Sequence, residues 1–87
     1  MEKSLKEKVT DALKEAVPDA HIELDAPEDK IGGLVLSGSF ASQSPSERQD
    51  RIWRHLDDHL TPYERTRVVF IVTDTPEEYE ALKQAAV

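Results

Sequence analysis

The chain has 87 residues, with 11 Lys and Arg against 18 Asp and Glu, a net charge of −7 and no cysteine. That length fits a single domain, 1–87, with one modest core, and zero cysteine excludes disulfides, thiolate catalysis and every cysteine-based zinc or iron–sulfur site. An acidic body repels a phosphate backbone, and no segment is net basic (residues 18–33 hold five acids and one base), so nucleic-acid binding is disfavoured.

No apolar run approaches the ~20 residues of a membrane helix. Met1-Glu2-Lys3-Ser4-Leu5-Lys6 offers no apolar stretch for a signal peptide, which sets a cytoplasmic expectation.

The first helix is predicted over Glu2 to Val17. Leu5, Val9, Ala12, Leu13 and Ala16 recur at helical spacing, with charged residues opposite. Pro18-Asp19 ends it. A short strand follows at His21–Leu24, with Ile22 and Leu24 on one side. Asp25–Lys30 reads as a polar connection, and Ile31–Ser39 as a second strand centred on Leu34-Val35-Leu36. The short loop between these strands favours antiparallel pairing.

Ser44-Pro45-Ser46-Glu47 is a capping box with proline at the first helical position, so the second helix starts there. Ile52, Trp53, Leu56 and Leu60 form its apolar arc. Glu47/Arg51 and Asp50/Arg54 are spaced as four-apart ion pairs, and Thr61-Pro62 stops the helix. Arg67–Thr73 reads as a third strand, whose five consecutive apolar residues suggest a central strand covered on both faces or nearly so. Thr75-Pro76-Glu77-Glu78 opens the third helix, with Tyr79, Leu82 and Ala86 on its inner face. The order α-β-β-α-β-α implies an α+β two-layer sandwich: a three-stranded mixed sheet with helices on one face.

Few residue patterns point to chemistry. His55 and His59 are four apart on the second helix, as two ligands of one metal would be, but the zinc-protease glutamate position holds Leu56. A border position on the apolar arc is the stronger reading for both, and His21 reads as a surface residue. Asp25, Glu28 and Asp29 do not match a calcium loop and read as a solvated connection. The serines include no Gly-x-Ser-x-Gly elbow, and Gly32-Gly33 is not a phosphate loop. Trp53 and Tyr79 lie on faces turned to the sheet, so both read as core members.

With the element order in place, the sequence resembles the BolA family from about Leu5 to Leu82. Leu36-Ser37-Gly38-Ser39-Phe40 resembles that family's Val-Ser-x-x-Phe at the end of strand two. Arg48-Gln49-Asp50-Arg51-Ile52-Trp53-Arg54-His55-Leu56 resembles its helix Arg-His-Arg-x-(apolar)-(aromatic)-x-x-Leu. Thr73-Asp74-Thr75-Pro76-Glu77-Glu78-Tyr79 resembles its Thr-x-Thr-x-x-Glu-Trp. The resemblance implies a KH-like fold and a protein-binding habit. BolA-like proteins share a [2Fe–2S] cluster with monothiol glutaredoxins through a strand-three histidine and a Cys or His in the first loop. The histidine position falls on Arg67 here, and the shortened Asp25–Lys30 loop has neither donor. A guanidinium has no free lone pair for iron. The family's helix histidine is also replaced, by Gln49.

The resulting expectation is a non-enzymatic, cytoplasmic protein-binding or regulatory adaptor without cofactor or metal. Arg48, Gln49, Arg51 and Arg67 form its expected partner surface, with a monothiol glutaredoxin or another protein as partner. The alternative is a nucleic-acid-binding or transcriptional regulator using the helix at 45–60. Interleaved Glu47, Asp50, Asp57 and Asp58 instead favour a salt-bridged solvent face for Arg48, Arg51 and Arg54.

Overall fold

The computed structural model describes residues 3–26 and 30–85. The elements run α1 (Leu5–Ala16), β1 (His21–Asp25), β2 (Ile31–Leu36), a 3-10 turn (Gly38–Ser42), α2 (Pro45–His59), α3 (Pro62–Thr66), β3 (Val68–Asp74) and α4 (Pro76–Ala85). The expected helix start at Glu2, the Glu28–Asp29 part of the acidic connection and Ala86 lie outside the described residues. No described helix is long and apolar enough to cross a membrane.

The sheet order is β1-β2-β3, with β1 antiparallel and β3 parallel to β2, which is the mixed α+β sheet the sequence implies. The helical layer and one sheet face make the core. Val9, Leu13 and Ala16 of α1 meet Ile52 and Leu56 of α2 over Ile31, Val35, Val68 and Ile71 of the sheet. Phe40 is sealed into this core from the 3-10 turn. Trp53 packs against the core from its border, half-buried.

Three departures from the sequence reading have clear physical causes. The second strand stops at Leu36, because the Ser37 side chain accepts from Ser39 N and starts a 3-10 turn instead. A further helix, α3, follows Thr61. Thr61-Pro62-Tyr63-Glu64 repeats the Ser/Thr-Pro-x-Glu pattern of the other capping boxes, with Thr61 Oγ1 accepting from Glu64 N and Glu64 Oε1 from Thr61 N. Finally, β3 is not a central strand covered on both faces. It is an edge strand, with Val68, Ile71 and Thr73 buried and Val69, Phe70 and Val72 exposed. A shift in register between Ile31 and Gly32 marks a bulge there and sets Val69 beside Phe70 on exposed positions.

No described residue of α4 is buried, and Leu82 is 60% exposed. Its expected inner face borders the open side of the sheet rather than the core. On that open side the register makes three rows: Asp25, Gly32 and Phe70; Glu23, Leu34 and Val72; His21, Leu36 and Asp74.

Candidate partner-binding surface

Arg48 projects from the first turns of α2 and is only 6% exposed. Its Nε donates to the carbonyls of Phe40 and Gln43, both at 3.0 Å, and Nη1 donates to Thr73 O at 3.3 Å. Nη1 and Nη2 also donate to the two oxygens of Glu78, at 2.7 and 3.3 Å. Five donors in a fixed planar fork suit such a site, where a lysine would leave carbonyls unpaired. The guanidinium ties α2, the 3-10 turn, β3 and α4 together and is not part of a solvent face.

Glu78 serves this cluster and the start of α4 at once. Its Oε1 accepts from Thr75 N at 2.8 Å, while Thr75 Oγ1 accepts from Glu78 N at 3.1 Å. The Arg48 guanidinium, followed by the Thr75 N–H, holds the Glu78 carboxyl down from 4.5 to about 2.

Gln49 closes the outer edge of β3. Its Nε2 donates to Ile71 O at 2.8 Å and to Thr73 Oγ1 at 3.1 Å, while its Oε1 accepts from Trp53 Nε1 at 2.9 Å. Together Arg48 and Gln49 pair two outward carbonyls that an edge strand otherwise offers to another chain. At the beginning of the strand the surface changes. Val69 is 59% and Tyr63 70% exposed, and the Arg67 guanidinium lies over the Tyr63 ring, 5.7 Å from its centroid.

Arg51 points the other way, toward α1. Its Nε donates to Ala16 O at 2.9 Å, and Nη1 donates to Ser39 Oγ and Gln43 Oε1. The structure therefore brings Arg48 and Gln49 together against β3, places Arg67 at the foot of that strand, and puts Arg51 at the α1 side. Arg48 and Arg51 are engaged with protein acceptors, so the three helix arginines do not make one outward basic stripe.

The histidine pair is not brought to a common point. His55 Nδ1 lies 3.1 Å from Arg51 O, and His59 Nε2 lies 2.6 Å from Glu15 Oε2 on α1. Among the described residues no group of three or more His, Cys, Asp or Glu is placed to hold a metal. The donor chemistry at the foot of β3 does not fit an iron–sulfur cluster: Arg67 supplies a guanidinium, and the chain has no thiolate.

The sequence reading missed two features. One is the internal role of Arg48, for which the only signal was Phe40, Arg48 and Glu78 lying in segments the fold draws together. The other is the open sheet face. Gly32 is its floor: a Cβ there would sit 2.5 Å from the Phe70 ring, so the ring lies directly across the strand.

No family model matches the chain, and no curated protein matches it. Among solved structures, the crystal structure of a bol-like protein from Babesia bovis superposes with a TM-score of 0.57, covering 95% of this chain and 96% of that chain at 16% identity. Likeness at that identity is likeness of fold, and it agrees with the element order, the mixed sheet and the helical layer described above. This polypeptide therefore has the BolA-like fold.

Proposed function

We propose that the protein is a non-enzymatic adaptor that binds a protein partner through α2 and the foot of β3, and that it does so without the iron–sulfur ligation of BolA-like proteins. The supporting observation is the distribution of exposed large apolar side chains. Tyr63 on α3 and Val69 at the start of β3 are exposed in an otherwise strongly charged domain, while the other exposed large apolar side chains, Phe70, Val72 and Leu82, belong to the open sheet face. A concentration of this kind on one part of a soluble surface marks interaction sites.

Gln49 and Arg67 are the contact residues in this reading, Arg48 holds their scaffold from beneath, and Arg51, turned toward α1, lies outside the contact. Arg67 over Tyr63 presents a cation on an aromatic plate beside Val69, a combination enriched in interface hot spots. The candidate partner is a monothiol glutaredoxin, on the strength of the fold. With a guanidinium in place of an imidazole, contact would be by side-chain packing and charge rather than by a shared cluster.

Titration of isotope-labelled protein with a monothiol glutaredoxin, with and without its cluster, tests this. Amide shifts at Gln49, Arg67 and Val69 with either form support it. Shifts that appear only with cluster, accompanied by a histidine-ligated spectrum, refute it.

A further inference from the structure

We propose that the open face of the sheet docks a basic amphipathic helix of a protein partner, a second docking surface that goes beyond the one at the foot of β3. The face is a groove of about 470 Å³. Leu34, Phe70 and Val72 form its apolar floor, and Tyr79 and Leu82 of α4 rise along one side. Glu23 and Asp25 stand along the other side on β1, and Asp74 closes one end.

Charge selects the occupant. Three carboxylates line the groove and, among the described residues, no Lys or Arg does. Among the described residues, the ion-pair contact of Glu23 is with the exposed His21 ring, at 3.6 Å. Asp74 Oδ2 is screened from water and has no hydrogen-bond partner among the described residues. Glu23 and Asp25 are exposed on β1, so a lysine or arginine brought by a ligand can reach their carboxylates directly. The same carboxylates would oppose each other if a second copy of this chain, at net charge −7, docked face to face. They also repel nucleic acid and anionic lipid.

Geometry selects a helix. Strands are spaced about 4.8 Å apart, so the width from β1 across β2 to β3 is about 10 Å, close to the diameter of one helix. An apolar stripe on such a helix would cover Leu34, Phe70 and Val72, and flanking cations would meet Glu23, Asp25 and Asp74. The sheet would then be covered on both faces, the arrangement that buries apolar sheet surface in layered folds.

The test uses a fluorescein-labelled Leu/Lys amphipathic peptide of about 14 residues, ~21 Å as a helix, and its Leu/Glu counterpart. The full chain is expected to bind the basic peptide in fluorescence anisotropy and to ignore the acidic one. Amide shifts should map to Leu34, Phe70 and Val72. Val72→Lys should weaken binding about tenfold or more and Asp74→Asn several-fold, with far-UV circular dichroism confirming that both variants are folded. Val72→Lys should leave any glutaredoxin-induced shifts at Gln49 and Arg67 in place, so the two surfaces can fail separately. Equal binding of both peptides, shifts centred on Asp57 and Asp58, or an affinity unmoved by Val72→Lys would overturn the proposal. So would self-association of the chain that Val72→Lys abolishes.

Discussion

Replacing Arg48 with methionine keeps an unbranched apolar stem and removes every donor from the centre of the cluster. The carbonyls of Phe40, Gln43 and Thr73 then lose the guanidinium that reaches them at 3.0, 3.0 and 3.3 Å. A buried acceptor left without its donor costs about 1–3 kcal/mol. Relief of the arginine's own desolvation offsets part of this, so a net loss of about 3 kcal/mol is expected. A domain of this size has roughly 4–13 kcal/mol of stability in all, and the melting temperature should fall by about 12–24 °C. Urea unfolding at neutral pH measures the loss, with an unchanged m-value showing that the unfolded reference is the same.

The acid limb provides a second readout. Glu78 has its carboxyl lowered from 4.5 to about 2, first by Arg48. A lowered folded-state value contributes stability that is fully present above 4.5 and is lost as pH falls toward 2. Arg48→Met should flatten that part of the profile. It should not abolish the limb, because Glu64 is also lowered, chiefly by Lys8, and Glu47 by the Ser44 backbone. A variant that loses less than about 1 kcal/mol, with an unaltered acid limb, would show that Arg48 is not a structural tie.

Glycine substitutions distinguish the two faces of β2. At Gly32 an added Cβ meets the Phe70 ring at 2.5 Å, but that ring is 54% exposed and can swing outward, so Gly32→Ala should cost under about 1 kcal/mol. At Gly33 the Cβ meets Leu24 at 2.7 Å and Ile71 at 3.0 Å on the core side, so Gly33→Ala should cost about 1–3 kcal/mol; urea midpoints rank the pair. Gln49→Leu removes the donor to Ile71 O and the acceptor of Trp53 Nε1, for about 1–2 kcal/mol. Because it also unseals the edge of β3, light scattering should show concentration-dependent association absent from the parent chain.

The backbone plan was readable because its signals are local. Helical periodicity in α1 and the Ser44 capping box placed the first two helices, and the loop at 25–30 placed the hairpin. The helix-start pattern at Thr61 is equally local, but Thr61-Pro62 reads as a stop for α2 as well as a start for α3, since proline serves both purposes. The exposure of β3 was not legible. An unbroken apolar run looks the same whether or not a second layer covers it, and only the folded chain shows Phe70 and Val72 exposed beside α4. Arg48 was misread for a related reason. A charged residue on a helix is usually solvated, and its burial depends on carbonyls of the 3-10 turn and β3 and on the α4 carboxylate, which converge only after folding.

Visible circular dichroism of a cluster-loaded monothiol glutaredoxin, recorded while this protein is added and amide shifts are followed in parallel, is the most direct measurement. Shifts at Gln49, Arg67 and Val69 with an unchanged cluster spectrum are expected of an adaptor that carries Arg67, at the foot of β3, instead of an imidazole. A spectrum that moves to histidine ligation, or the absence of any shift at those residues at saturating partner, would contradict it.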